Sequence, residues 1–234
     1  MSLLVVEDVH KVYTAASGVV TALRGVSFSV ARGDFLAVRG PSGCGKSTLL
    51  HLLGAMDRPT SGRVQFAGRD LGTLGLDELA RLRRRQVGFV FQSFNLLPTL
   101  TVRENVMLPL TLDGAAERAA CRRAAFLLEQ VGLADRAEHF PAQLSGGEMQ
   151  RVAVLRAVAA EPDLLLADEP TGNLDSENGR RVMELLTEMN QRLSLTVILA
   201  THSAEAARYA ARILYLRDGR IERIACHERV SETV

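Results

Sequence analysis

The sequence predicts an α/β fold with a mainly parallel sheet, an N-terminal layer of antiparallel strands and an inserted helical segment. Three observations lead to it. Short β-rich runs open the chain, strand signals nearly vanish from about residue 101 to residue 160, and strands alternate with helices after Pro162. Such alternation is typical of parallel sheets. A chain of 234 residues is long enough for one sizeable domain with its own core.

The opening runs are separated by Gly or Ser, which indicates short strands joined by turns. A glycine-rich stretch then gives way to a helical pattern that starts near Lys46. The order is therefore strand, glycine loop, helix. The predicted strands cover residues 3–9, 19–23, 26–30 and 35–39.

The middle of the chain reads as a helical lobe. Thr101 and Glu104 form a capping box at a helix start, and residues 117–131 have amphipathic spacing. The chain ends in two strands joined by Asp218-Gly219, a typical hairpin turn. The other predicted elements after Pro162 are strands at 164–167 and 196–200 and helices near 177–192 and 204–211.

Composition excludes several classes of protein. The net charge of +1 gives no overall attraction to nucleic acid or anionic lipid. The three cysteines lack zinc-ligand spacing, and an odd number argues against a disulfide framework, so we expect a reducing compartment. The N-terminal apolar run is too short for a signal peptide, and no window reaches the roughly 20 apolar residues of a membrane span. We therefore expect a cytoplasmic protein that contacts a membrane only through a partner.

The glycine-rich stretch matches the phosphate-loop pattern G-x-x-x-x-G-K-[ST] in the required strand–loop–helix context. Glycines let backbone N–H groups surround phosphates, a lysine reaches the outer phosphates, and a hydroxyl can bind Mg²⁺. We therefore predict a nucleoside triphosphate with Mg²⁺ as the ligand. Only two of the 28 basic residues are lysines, Lys11 and Lys46. A lysine at position 46 therefore indicates a specific need for a compact ammonium, because a broad planar guanidinium would crowd a phosphate site. The candidate nucleotide-binding residues here are Gly40, Pro41, Ser42, Gly43, Cys44, Gly45, Lys46, Ser47 and Thr48.

Two adjacent carboxylates follow the buried strand 164–167. Asp168 and Glu169 stand where doubly wound sheets place their ligand chemistry, at the carboxyl end of a strand. Asp168 is the candidate metal ligand together with Ser47. Glu169 is the candidate base for the water that attacks the γ-phosphate, and Lys46 is expected to assist catalysis.

A further motif, Leu-Ser-Gly-Gly-Glu at residues 144–148, precedes the carboxylate strand. It forms an ordinary capping box for a helix over 149–160, and it also resembles the signature sequence of ABC ATPases. The resemblance covers nearly the whole chain. It implies that four residues of one subunit face the γ-phosphate bound by the other subunit, namely Ser145, Gly146, Gly147 and Glu148.

The family resemblance also implies an architecture and further site residues. We expect a RecA-like P-loop NTPase core with its β layer at residues 1–92 and 161–234, and a helical subdomain at 93–160. We also expect a homodimer that sandwiches two ATP molecules. The roles implied are adenine stacking for Tyr13, sensing of Mg²⁺ and the attacking water for Gln92, a position across the dimer interface for Asp175, and a γ-phosphate contact for His202.

Residues 88–106 and 171–175 look like those of the lipoprotein-release and macrolide-exporter (LolD/MacB-like) group. This implies an integral membrane permease as partner, with this subunit lying on the inner face of the membrane. The chain departs from the common pattern at Met149, Leu155 and Ser203. Four apolar residues could receive a short permease helix or be buried within the helical lobe, namely Phe94, Leu96, Leu97 and Leu100.

Two alternatives share the same ATPase core. One is a soluble ABC ATPase of DNA repair, chromosome organisation or translation, which the single compact cassette and the net charge disfavour. The other is a cell-division ATPase that signals through a membrane partner. Residues 81–85 are expected to be a solvated basic helix face or a contact for lipid or an acidic partner. Cys44 is either a reactive thiol of lowered pKa or a small space-filling residue.

Overall fold

A computed structural model describes residues 2–15 and 18–226 of the chain. It contains a six-stranded sheet in the order β10-β9-β3-β8-β7-β6, in which β9, β3, β8, β7 and β6 pair in parallel and β10 is antiparallel. This confirms the predicted mainly parallel sheet. Its strands are β3 (Phe35–Arg39), β6 (Val87–Phe91), β7 (Leu164–Asp168), β8 (Thr196–Thr201), β9 (Arg212–Arg217) and β10 (Arg220–Cys226).

A second, antiparallel sheet in the order β2-β1-β4-β5 forms the predicted N-terminal layer. Residues 19–23 and 26–30 belong to one long strand, so the prediction of two strands there is wrong. Gly25 adopts a φ of +72° beside bulges in the β1–β2 pairing, which lets the strand bend without ending. The strands are β1 (Ser2–Ala15), β2 (Gly18–Ala31), β4 (Ser61–Phe66) and β5 (Arg69–Asp70).

The middle of the chain is helical, as predicted. Thr101 accepts a hydrogen bond from the Glu104 amide at 3.2 Å, and Glu104 accepts one from the Thr101 amide at 2.7 Å, which confirms the capping box. The helices before β7 are α1 (Lys46–Leu53), α2 (Leu76–Gln86), α3 (Val102–Leu112), α4 (Glu117–Gln130) and α5 (Gly146–Val158).

After β7 come α6 (Ser176–Leu193) and the short α7 (Ala204–Ala207). The helix predicted over 204–211 ends early because the Ala211 amide donates to the Phe35 carbonyl at 3.0 Å and draws the chain into β9. The final hairpin is confirmed. Asp218 and Gly219 have φ values of +49° and +75°, as a two-residue hairpin turn requires.

The parallel sheet is buried on both faces. Along β3, Phe35 and Ala37 pack into the core shared with α5 and α6, whereas Leu36 and Val38 pack into the core shared with α1 and the antiparallel sheet. Chemistry at this sheet is therefore confined to its edges, and the carboxyl ends of the parallel strands carry the candidate site. Across residues 2–15 and 18–226, no helix combines the length and apolar character needed to span a bilayer.

Candidate active site

Four adjacent parallel strands, β3, β8, β7 and β6, end at the same edge of the sheet. The phosphate loop follows β3, His202 follows β8, Glu169 follows β7 and Gln92 follows β6. Residues that are up to 162 positions apart in sequence therefore share one sheet edge. Of these groups, Glu169 contacts both Lys46 and His202.

The phosphate loop is a tight turn that only glycine can form. Gly43 and Gly45 have φ values of +77° and +106°, in the left-handed region. A Cβ atom on Gly40 would lie 2.1 Å from the Leu216 carbonyl oxygen, and one on Gly45 would lie 2.5 Å from the Ala22 carbonyl oxygen. The loop is thus pressed against its neighbours, while its crest at residues 41–43 is exposed.

Lys46 begins α1 directly after this loop and is only 8% exposed. Its ammonium donates to the carbonyl oxygens of Gly40 at 2.9 Å and Pro41 at 3.1 Å. The same atom lies 3.4 Å from Oε1 of Glu169. The ammonium therefore sits beside the N-terminus of a helix, where anionic phosphates are stabilised. Ser47 is exposed at this helix start and Thr48 is half-buried.

Glu169 is held in a strained position. Its φ of +47° is unusual for a side chain other than glycine and costs about 1–3 kcal/mol. Its amide donates to the Ala200 carbonyl at 2.9 Å, and its Oε2 lies 3.0 Å from Nδ1 of His202. The Glu169 carboxylate therefore lies between the Lys46 ammonium and the His202 ring at the opening of the site.

Asp168 presents an unpaired acceptor. Its Oδ1 is buried and has no hydrogen-bond partner. A buried carboxylate oxygen without a donor is suited to a metal ion or a water bound to one. Residues 2–15 and 18–226 contain no cluster of three His, Cys, Asp or Glu side chains able to hold a metal unaided. A Mg²⁺ ion here therefore fits only if phosphate oxygens and hydroxyl or amide oxygens complete its shell.

Gln92 is exposed and bound by a residue that sequence reasoning did not single out. Its Nε2 donates to Oδ1 of Asn173, and Nδ2 of Asn173 donates to the Gln92 carbonyl, both at 3.1 Å. The only signal in the sequence was the place of Asn173 two residues before Asp175.

Tyr13 lies on β1 with 39% of its surface exposed. Its hydroxyl donates to Asp57 at 2.9 Å, and the Lys11 ammonium lies 2.7 Å from Asp57 and 4.8 Å from the centre of the Tyr13 ring. Burial and the bond to Asp57 raise the pKa of Tyr13. Lys11 and Asp57 were missed as site residues, although the rarity of lysine pointed to Lys11.

The signature segment is a compact capped helix start. Glu148 accepts from the Ser145 amide at 2.8 Å and from its hydroxyl at 2.7 Å, and these bonds lower the pKa of Glu148. A Cβ atom on Gly147 would lie 2.2 Å from Oδ1 of Asn178. Side-chain bonds of Ser145 and Glu148 in the described residues run to each other and to Arg136, so this segment is not part of the Lys46 site in its own chain.

Asp175 occupies the N-cap of α6. Its side chain accepts from the Asn178 amide at 2.9 Å and from the Asn178 side chain at 2.7 Å. These two bonds lower the pKa of Asp175. The structure thus assigns Asp175 a local capping role, beside the turn that carries Asn173.

Comparison with known proteins decides the family. The sequence profile of the ABC transporter family matches residues 23–172. The chain belongs to the ABC transporter family. A Thermotoga maritima protein described as an uncharacterized ABC transporter ATP-binding protein is 50% identical over 93% of this chain and 92% of its own length. A solved dimeric structure of the ATP-binding cassette MJ0796, bound to ADP and Pi, superposes with a TM-score of 0.89 at 41% identity and covers 96% of this chain and 99% of that one.

The resemblance to the lipoprotein-release and macrolide-exporter group is confirmed at the level of sequence. The lipoprotein-releasing system ATP-binding protein LolD of Geobacter metallireducens is 47% identical over 94% of this chain and 98% of its own length. The macrolide export ATP-binding/permease protein MacB of Brucella melitensis is 48% identical over 94% of this chain, which spans only 34% of that longer protein. This chain is therefore an ATPase of the family, with the expected P-loop NTPase fold.

Cys44 of this ABC ATPase is buried, with 4% of its surface exposed. Burial raises the pKa of its thiol, and the opposing effects of the Lys46 charge and of backbone N–H groups are smaller. The expectation of a lowered pKa at the helix start is wrong. The loss of solvation at the buried thiol raises its pKa more than the neighbouring charge and backbone N–H groups lower it. Cys44 is a space-filling residue under the loop.

An open groove of about 470 Å³ lies between α2, β6, α3 and the end of α5. Its apolar lining includes Phe89, Phe91, Leu108 and Leu112. The four residues expected to form such a landing lie after β6 and outside this lining, with Leu97 42% exposed and Phe94, Leu96 and Leu100 half-buried.

The basic run at residues 81–85 is only partly a solvated face. Arg84 and Arg85 each contact Asp113 at the end of α3, at 2.8 and 2.7 Å, and these bonds lower the pKa of Asp113. Arg83 donates to the Ala55 carbonyl at 2.7 Å. Three of the five positions thus hold α2 against its neighbours beside the groove.

Proposed function

We propose that this ABC ATPase powers export or membrane extraction of a lipoprotein, peptide or drug-like substrate through a separate integral membrane permease. The similarity to LolD and MacB supports this group. The observation that carries the proposal is the apolar groove, because its lining residue Phe91 is directly followed by Gln92. A permease helix in the groove would thus touch the segment that enters the hydrolysis site.

The nucleotide would be held by residues 40–48 of this chain, with Tyr13 against the adenine ring. Ser47, Asp168 and Gln92 would hold Mg²⁺, which would neutralise negative charge that develops on the phosphate oxygens during hydrolysis. Lys46 would donate to the outer phosphates. Glu169 would orient the attacking water and accept its proton, and His202 would donate a hydrogen bond to the γ-phosphate.

Each nucleotide site would be completed by a second copy of the chain. Ser145, Gly146, Gly147 and Glu148 form a helix N-terminus suited to an anion, and their side-chain bonds do not reach Lys46 of the same chain. We therefore propose a homodimer sandwiching two ATP molecules, with Asp175 at the interface. The dimeric cassette MJ0796 supports this assembly.

We further propose the division into residues 1–92 and 161–234 as catalytic core and residues 93–160 as helical subdomain. Helices α3, α4 and α5 fall within the second segment, whereas residues 1, 16–17 and 227–234 of the first lie outside the described residues. The protein would act on the cytoplasmic face of the membrane, reach it only through the permease, and bind no nucleic acid.

Mass spectrometry of the tagged protein, purified from gently solubilised native membranes, tests the proposal. We expect a permease with few spans and a large extracytoplasmic domain. Leu112→Glu, which places a charge in the groove, should lose this permease and keep basal ATPase activity. The matched control is Leu193→Glu, since Leu193 is also exposed (51%, against 64% for Leu112) but lies on α6. Recovery with cell-wall enzymes, DNA or ribosomes would contradict the transport assignment.

A further inference from the structure

Side-chain amides continue the pairing of β6 and β7 beyond the ends of these strands. The last paired residues are Phe91 and Asp168. Gln92, which directly follows β6, and Asn173, five residues after Asp168, are joined by two hydrogen bonds of 3.1 Å each. A reciprocal amide pair fixes both position and orientation, because one bond alone would leave the side chain free to rotate.

A second side-chain amide, on the core side, joins the segment that ends β6 to the segment that follows β7. Gln150 on α5 is fully buried, and its Nε2 donates to the Phe91 carbonyl at 3.3 Å and to the Pro170 carbonyl at 2.8 Å. Residues 91–92 and 170–173 are thus tied together twice, once in the core and once at the surface.

The turn that carries Asn173 starts at Glu169. The Gly172 amide donates to the Glu169 carbonyl at 3.0 Å. A Cβ atom on Gly172 would lie 2.7 Å from Nε2 of Gln92 and 3.3 Å from the Glu169 carbonyl oxygen. Gln92 is therefore packed directly on the turn that begins at the candidate base, and Asn173 is the side chain that holds it there.

We propose that Asn173 is a positioning residue that orients the Gln92 amide for hydrolysis; this rests on the proposed role of Gln92. Because Nε2 of Gln92 is bound to Asn173, the oxygen of the same amide is the atom presented to a metal ion or water, and oxygen is the ligand that Mg²⁺ requires. The pair also links the groove to Glu169, since Phe91 lines the groove.

A double-mutant cycle of Gln92→Ala and Asn173→Ala in the full chain tests this, with kcat and KM for Mg·ATP as readouts. We expect Asn173→Ala to lower kcat about 10- to 100-fold with KM little changed, as misplacement of a reacting group does. In the Gln92→Ala background, Asn173→Ala should have no further effect on kcat, because no side chain remains to be oriented. Effects that multiply, or a wild-type kcat for Asn173→Ala, would overturn the inference.

The double-mutant cycle distinguishes failure of the proposed role of Gln92 from failure of the proposed role of Asn173. A normal kcat for Gln92→Ala would remove the proposed role of Gln92 and this inference with it, whereas a slow Gln92→Ala beside a normal Asn173→Ala would remove only the inference. Asn173→Asp keeps the acceptor for Nε2 of Gln92 but places a carboxylate oxygen where Nδ2 donates to the Gln92 carbonyl, and repulsion between these oxygens should separate the pair, so this variant should also be slow. Thermal unfolding without nucleotide and metal gives a second readout: the two single variants should lose more Tm in sum than the double variant does.

Discussion

Oε2 of Glu169 lies 3.0 Å from Nδ1 of His202 and 3.3 Å from the backbone amide of the same residue. A carboxylate can only accept, so the approach of Nδ1 is favourable when this nitrogen of His202 carries the proton. The neutral ring then has an acceptor at Nε2, and donation to a phosphate requires either the protonated ring or release of Glu169. Glu169 and His202 thus control each other's hydrogen bonding.

Replacing the candidate base tests this arrangement. We expect Glu169→Gln to lower kcat by about 10²–10⁴-fold, because an amide cannot accept the proton of the attacking water. ATP binding should persist, since Lys46 and the loop remain, and ATP-bound dimer should accumulate. ATPase assays and size-exclusion chromatography with ATP measure both effects. Turnover at the wild-type rate would refute Glu169 as the base.

Removing the Lys46 ammonium should weaken ATP binding, whereas replacing Glu169 should leave binding intact. Lys46→Ala loses a cation that is 8% exposed and placed at the helix start, so we expect ATP affinity to fall by about 10- to 100-fold, the equivalent of one charge-assisted hydrogen bond. Lys46→Arg should fail as well, since a planar guanidinium does not fit among the Gly40, Pro41 and Glu169 oxygens. Isothermal titration with ATP measures the change. Normal affinity in Lys46→Arg would show that charge alone suffices.

The order of the site residues could be predicted from the sequence because each motif stands at the end of a strand, and parallel strands bring their ends together. The continuity of β2 could not, since Gly25 has the local signature of a turn and only pairing with β1 keeps it in the strand. The Gln92–Asn173 pair was equally hidden. This pair depends on how the loop after β6 and the loop after β7 are placed relative to each other in space. The two residues are 81 positions apart, so local sequence spacing does not encode their contact.

The cluster around Asp57 gives a pH-dependent prediction. Burial alone would raise the pKa of Asp57, but hydrogen bonds from Lys11, the Arg58 amide and Tyr13 outweigh it and lower the pKa. A lowered folded-state pKa means that the stabilisation is complete above the unfolded value of about 3.9 and is lost as pH falls through the folded value. Asp57→Asn should therefore be less stable by about 1 kcal/mol from pH 7 to about pH 5, and this gap should narrow below about pH 4.

Urea unfolding of wild type and Asp57→Asn across this range measures the gap. Asp135→Asn serves as control because Asp135 is exposed, and it should leave stability within about 0.5 kcal/mol. A gap that is already closing at pH 6 would show that another group supplies the stabilisation.

Cysteine labelling distinguishes a space-filling Cys44 from a reactive one. The thiolate is the nucleophile, and a raised pKa leaves less thiolate at pH 7, while burial blocks the reagent. We expect iodoacetamide at pH 7 to modify the exposed Cys226 first, the half-buried Cys121 more slowly, and Cys44 only after unfolding. Peptide mass mapping over time gives the three rates within one sample, so the other two cysteines act as internal controls. Rapid modification of Cys44 with concurrent loss of ATP binding would mean that the loop opens often enough for its thiol to ionise, and the assignment of Cys44 as a packing residue would then be wrong.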